Sequence, residues 1–150
     1  MRFHLIDQVD SWEPQRGLVG RKVTAADETY WKTSANGPVM PAGLVLEALA
    51  QAGTWLLLLS SGYRKRAALA GLTSADWHSE VHPGDVLTLE VTLISAGDDA
   101  AVLDGTVKVG ERLVLEASGV MCALIDSDQL EDPADTERMG RQLLGLAVLR

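Results

Sequence analysis

From Pro41 to about Ser60 the chain is apolar on almost every side of a helix: Leu44, Val45, Leu46, Leu49, Ala50, Trp55 and the run from Leu56 to Leu59. Pro38 and Pro41 stop one element and set up the next, because a proline in the first helical turn forfeits no hydrogen bond. A helix apolar all round is expected to be buried on all sides. Glu47, Gln51 and Gly53 interrupt it too often for a membrane span. Glu47 is then a carboxylate inside an apolar helix, which must be protonated, paired or used.

The rest of the chain changes period. Val86 to Ile94 alternates, with Leu87, Leu89, Val91 and Leu93 on one face and Thr88, Glu90 and Thr92 on the other, as a half-buried strand does. Ala101 to Val109 alternates again, and Leu113 to Ile125 reads as a long last strand. Turns at Gly97-Asp98-Asp99 and Gly110-Glu111 make these three an antiparallel meander. Ala67 to Trp77 is a further strand with an irregularity at Gly71, separated from the meander by the turn His82-Pro83-Gly84-Asp85. At the N-terminus, Leu5 to Trp12 and Leu18 to Thr24 read as a hairpin around Pro14 and Gly17. Thr24 to Asp27 has the form of a capped helix start, leading to a short turn or helix through Trp31. Lys32 to Gly37 reads as loop.

Asp126 to Glu137 is polar, acidic and contains Pro133, as a linker would be. Arg138 to Arg150 fits a short amphipathic helix with Met139, Leu143 and Leu146 on one face. No internal repeat is present. The expected architecture is α+β: a domain over residues 1–125 with one central helix wrapped by an antiparallel sheet of five to six strands, then a tail over 126–150. One sheet cannot cover a helix apolar all round, so pairing with a second copy or a relative is expected.

Composition narrows the function. The chain has 150 residues, 47% of them hydrophobic, and a formal net charge of -8. That suits one domain with a substantial core and argues against binding nucleic acid or anionic membrane through general electrostatics. Cys122 is the single cysteine, so no intrachain disulfide forms, and its apolar strand makes it a packed small residue. Met1 to Asp7 holds no long apolar run of a secretion signal, and a cytoplasmic location is expected. No metal-ligand spacing stands out. Arg64, Lys65 and Arg66 form a basic cluster in an acidic chain. It reads either as a solvated helix exit with favourable charge or as a docking patch for an acidic partner.

Several separated motifs, in order, resemble the hot-dog-fold 3-hydroxyacyl-[acyl-carrier-protein] dehydratases of fatty-acid and polyketide synthesis. They are Leu5-Ile6-Asp7-Gln8-Val9, Pro38-Val39-Met40-Pro41, Glu47-Ala48-Leu49-Ala50-Gln51-Ala52, Pro83-Gly84-Asp85 and Val120-Met121-Cys122-Ala123. The resemblance runs from about Phe3 to Leu124. It implies a hot-dog fold, a dimer, and a 3-hydroxyacyl thioester substrate carried on the phosphopantetheine of an acyl carrier protein, with no separate cofactor. In that family a histidine takes the C2 proton, a helix carboxylic acid from the other subunit helps the 3-hydroxyl leave as water, and a helix-start N–H polarises the thioester carbonyl.

Glu47 matches the acid and Ala42 the N–H position, where the family usually has glycine. Met40, Gly43 and Gln51 are the implied substrate-lining positions, and Arg64, Lys65 and Arg66 the natural carrier-docking residues. The histidine does not carry over. The family's Gly-His-Phe-Pro-Gly is replaced by Lys32-Thr33-Ser34-Ala35-Asn36, with Thr33 at the histidine position. A threonine hydroxyl has no basicity near neutral pH. His4, His78 and His82 are the chain's only histidines, and each reads as structural or surface. The leading expectation is a non-autonomous dehydratase subunit, weak or inactive alone, whose Glu47 works with the histidine of a partner chain. The alternatives are an inert acyl- or carrier-binding assembly module and a hot-dog acyl thioesterase in which Glu47 directs water.

Overall fold

A computed structural model of the protein describes residues 4–126, 132–145 and 148–149. Among the described residues two helices and nine strands follow one another: β1 (Gln8–Glu13), β2 (Gly17–Val23), β3 (Lys32–Ser34), β4 (Gly37–Val39), α1 (Ala42–Ser60), β5 (Lys65–Trp77), β6 (Val86–Ala96), β7 (Ala100–Val109), β8 (Arg112–Asp126), α2 (Pro133–Leu144) and β9 (Val148–Leu149). The main sheet has the order β5-β8-β7-β6-β2-β1-β9. Its first six strands are mutually antiparallel, and β9 pairs in parallel with β1. The α+β architecture of one central helix wrapped by six antiparallel strands, expected from the residues and from the resemblance, is the one observed: a hot-dog fold.

The 3.6-residue and two-residue periods meet along α1. Leu56, Leu58, Ala48 and Ala52 of the helix and Leu18, Leu87, Leu89, Val107, Val114 and Leu115 of the sheet are all fully buried. Gly105 on β7 lets helix and sheet approach closely. A Cβ there would lie 2.9 Å from both the Glu90 carbonyl oxygen and Leu49 Cδ1. The irregularity at Gly71 is a register shift between Leu69 and Gly71, where β5 pairs with β8. Leu56→Ala is expected to cost about 2–5 kcal/mol of stability, read as a lower denaturant midpoint with unchanged slope.

Four expectations change. First, within the single chain α1 is not buried on all sides. Ten of its nineteen residues are buried, but Ala42, Gly43 and Glu47 are exposed, because the sheet covers one side of the helix only. By length and composition α1 could cross a membrane, and it is the one such helix among the described residues. Second, Thr24 does not cap a helix. Its hydroxyl donates to the Asp85 carbonyl (2.7 Å) and accepts the Gly84 N–H (3.1 Å), while Glu28 closes a turn by accepting the Ala25 N–H (3.0 Å).

Third, the stretch from Lys32 to Gly37 is no loop but starts a hairpin of β3 and β4, with Thr33 opposite Pro38. The Ser34 hydroxyl accepts the Asn36 N–H and donates to the Gly37 carbonyl, and Gly37 supplies the positive φ of +94°. Fourth, the last helix starts at Pro133, inside the stretch read as linker. The Asp132 carboxylate caps it by accepting the Ala134 N–H (3.0 Å), and Pro133 fits the first turn. Thr136 and Leu143 are buried and Met139 packs on the core. Leu146 lies outside the described residues.

Candidate active site

The site begins at α1. Pro41 precedes the helix, and the N–H groups of Ala42 and Gly43 in its first turn have no intrahelical acceptor. Both residues are exposed, and the Ala42 carbonyl accepts the Trp77 indole N–H (3.2 Å). Met40 belongs to the core, its N–H donating to the Val81 carbonyl (2.9 Å).

One turn and a half further on, Glu47 faces a cavity of about 390 Å³. Gln51 fixes its orientation. The Leu5 N–H can only donate, so Gln51 Oε1 must face it (2.7 Å), and Gln51 Nε2 then donates to Glu47 Oε1 (3.1 Å). A proton carried by Glu47 therefore sits on Oε2, the oxygen Gln51 does not hold. The cavity continues along α1 past Ala50, Thr54 and Trp55, with Ala67, Leu69 and Cys122 from the sheet and Met139 from α2 as apolar wall. A smaller slot lies between α1 and the sheet, lined among others by Leu46, Leu49, Gly53, Leu72, Leu103 and Val120, and it shares Ala50, Leu69 and Cys122 with the first. Burial pushes the Cys122 thiol up, so it is a packed residue, as its sequence context suggested.

The remaining candidates are dispersed. Thr33 is exposed on β3 and does not line the cavity. His82 Nδ1 lies 3.0 Å from the Pro38 carbonyl, so this imidazole braces the far edge of the β3–β4 hairpin. His78 Nε2 lies 3.9 Å from Glu116. His4 does line the cavity with Glu47, which its place in the sequence gave no reason to single out. Among the described residues no hydrogen bond orients its ring. The basic cluster divides: Lys65 Nζ pairs with Asp126 (2.7 Å), which raises its pKa, Arg64 donates to the Ser61 carbonyl (2.9 Å), and Arg66 lines the cavity. Among the described residues no cluster of His, Cys, Asp and Glu could hold a metal ion.

Comparison with known proteins gives the family. Residues 1–118 match the FabA-like domain. The 3-hydroxyacyl-[acyl-carrier-protein] dehydratase FabZ of Clostridium tetani is 37% identical over 115 residues, which is 75% of this chain and 81% of that one. The FabZ of Clostridium kluyveri is 35% identical over 116 residues, 76% of this chain and 81% of that one. In structure, a Streptococcus mutans protein solved bound to acetyl CoA superposes with a TM-score of 0.65 at 16% identity, over 84% of this chain and 94% of that one, and so shares the fold. The motifs along the chain, the helix-borne carboxylate on its cavity and these relatives converge: the chain belongs to the FabA-like family, among the relatives of the FabZ 3-hydroxyacyl-[acyl-carrier-protein] dehydratases.

Proposed function

We propose that this chain is a non-autonomous subunit of a 3-hydroxyacyl-[acyl-carrier-protein] dehydratase, contributing Glu47 to a site completed by a partner chain's histidine. The observation that carries the reading is the carboxylate itself: Glu47 lines a cavity and is held by Gln51, while Thr33 stands on a hairpin away from it. In the reaction the partner's imidazole takes the C2 proton, the C2=C3 double bond forms, and the C3–O bond breaks as Glu47 Oε2 gives its proton to the departing hydroxyl. Water leaves, and returning one proton from imidazole to carboxylate resets the site. Helix-start N–H groups, at Ala42 in this chain, suit the enolate oxygen that develops on the thioester.

The edge strand β5 supports pairing. It runs for 13 residues with one side unpaired in the sheet, and Leu69 and Trp77 upon it are 54% and 44% exposed. A long unpaired edge with exposed apolar side chains is a template for pairing with another chain. Arg64 precedes β5, Lys65 and Arg66 begin it, and Arg66 lines the cavity; the three suit an acidic carrier protein that delivers its phosphopantetheine-borne acyl chain there. The cytoplasm, where carrier-linked acyl assembly operates, is the compartment this reading implies.

One observation favours a second reading. His4 shares the cavity with Glu47, so an imidazole and a carboxyl of one chain could serve one site. A general base must be held in place, and the exposed His4 ring lacks an orienting partner among the described residues, which ranks this reading below the first. Assay of the isolated chain, purified free of partners, separates them. The first reading expects no dehydration of 3-hydroxyacyl thioesters above background. Turnover at ordinary enzyme rates, lost in His4→Ala, would establish the second.

A further inference from the structure

The match to the FabA-like domain ends at residue 118, yet Thr136 and Met139 of α2 line the same cavity as Glu47. We infer that α2 forms one wall of a channel that receives the pantetheine arm of the substrate, with Met139 setting its bore. The inference rests on the dehydratase reading for the identity of the thioester.

The larger cavity has both the chemistry and the room for such an arm. The larger is lined by His4, Glu47, Gln51, Thr54, Arg66 and Thr136 as well as by apolar side chains. A pantetheine arm, with two amides and a hydroxyl along an aliphatic chain, matches such a mixed lining and the volume of about 390 Å³. At about 20 Å³ the slot between helix and sheet, apolar but for Asp104, is too small for an acyl tail. The arm's direction follows from α1. Arg66 lies at the basic end, and the helix rises roughly 12 Å from Trp55 back to Glu47. An arm that enters beside Arg66 lies along the wall made by Trp55 and Met139, with its thioester end toward Glu47.

Packing fixes α2 in that position. Thr136 is 1% exposed, and a Cβ on Gly140 would meet the Tyr63 ring, so the helix sits hard against the chain leaving α1. Met139 is partly buried against the core, while Arg138, its neighbour, has a side chain 72% exposed and pairs with Asp135 (2.7 Å). An unbranched thioether adapts to an irregular gap, and a rigid ring in its place narrows the passage.

The test is calorimetric titration of the full chain with 3-hydroxybutyryl pantetheine. Met139→Trp is expected to weaken binding about tenfold or more, while Arg138→Trp, one residue away on the solvent side, stays within about twofold of the unsubstituted chain. Met139→Phe supplies a milder obstruction should the larger ring unfold α2, with an intermediate loss. Equal affinity in the Met139 and Arg138 variants, or no binding by the unsubstituted chain, would overturn the channel. The readout is independent of turnover. Binding blocked at Met139, in a chain that no partner renders active, keeps the channel and removes the dehydratase. Turnover with a partner that Met139→Trp leaves unchanged does the reverse.

Discussion

Thr33→His is expected to raise dehydration of 3-hydroxyacyl thioesters by a homodimer of this chain about 10²–10⁴-fold, the range a positioned general base contributes, because the shared-site reading sets the hairpin of one subunit against the Glu47 cavity of the other. Thr33 stands in a hairpin whose geometry is set by its own backbone pairing and by Ser34, so the substitution leaves the scaffold alone. The residue is exposed, and an imidazole meets no packing penalty there. An imidazole ionises near neutrality, which a hydroxyl does not, so the gain should follow pH, rising as the imidazole loses its proton and becomes a base. Measured kcat against pH for the variant checks both statements. A variant that folds as well as the parent and stays at background would show that more than the histidine is missing.

The second large effect is at Glu47. In a complex with a histidine-bearing dehydratase chain whose own acid has been removed, Glu47→Gln is expected to lower kcat about 10²–10⁴-fold with KM little changed. The amide keeps the volume and the contact with Gln51 but has no proton to give the departing hydroxyl. Steady-state kinetics of the two complexes, made side by side, measure the difference. Equal turnover would make Glu47 a structural carboxylate and move the acid elsewhere.

Much of the fold was legible in residue order. The long, mostly apolar run of α1 and the strict alternation from Val86 to Ile94 point to a helix and a strand, and burying one against the other favours this architecture. What escaped has local causes. The β3–β4 hairpin is three residues a side and carries no alternating apolar face, so only its turn chemistry at Ser34, Asn36 and Gly37 could have revealed it. Thr24 resembles a cap, but its hydroxyl is taken by Gly84 and Asp85, some sixty residues on, a contact local patterns do not contain. The start of α2 was hidden by acidic residues usual in linkers, although Asp132-Pro133 is itself a helix-start signal.

The candidate site was legible in a different way. Composition alone makes Glu47 an oddity, and only the resemblance made it an acid. Within one chain Glu47 is exposed, because the sheet of that chain covers one side of α1, and covering the other side was expected of a second chain. His4 and Met139 could not be placed from sequence, since they reach the cavity through long-range packing, beside the Leu5–Gln51 contact and on α2.

The most direct measurement is subunit complementation. This chain is combined with a dehydratase chain that keeps its histidine and has lost its acid, and elimination of water from a 3-hydroxyacyl thioester is followed. The account predicts turnover in the mixed complex that neither chain shows alone. A mixed complex that forms and stays inactive, or an isolated chain that turns over unaided, would contradict it.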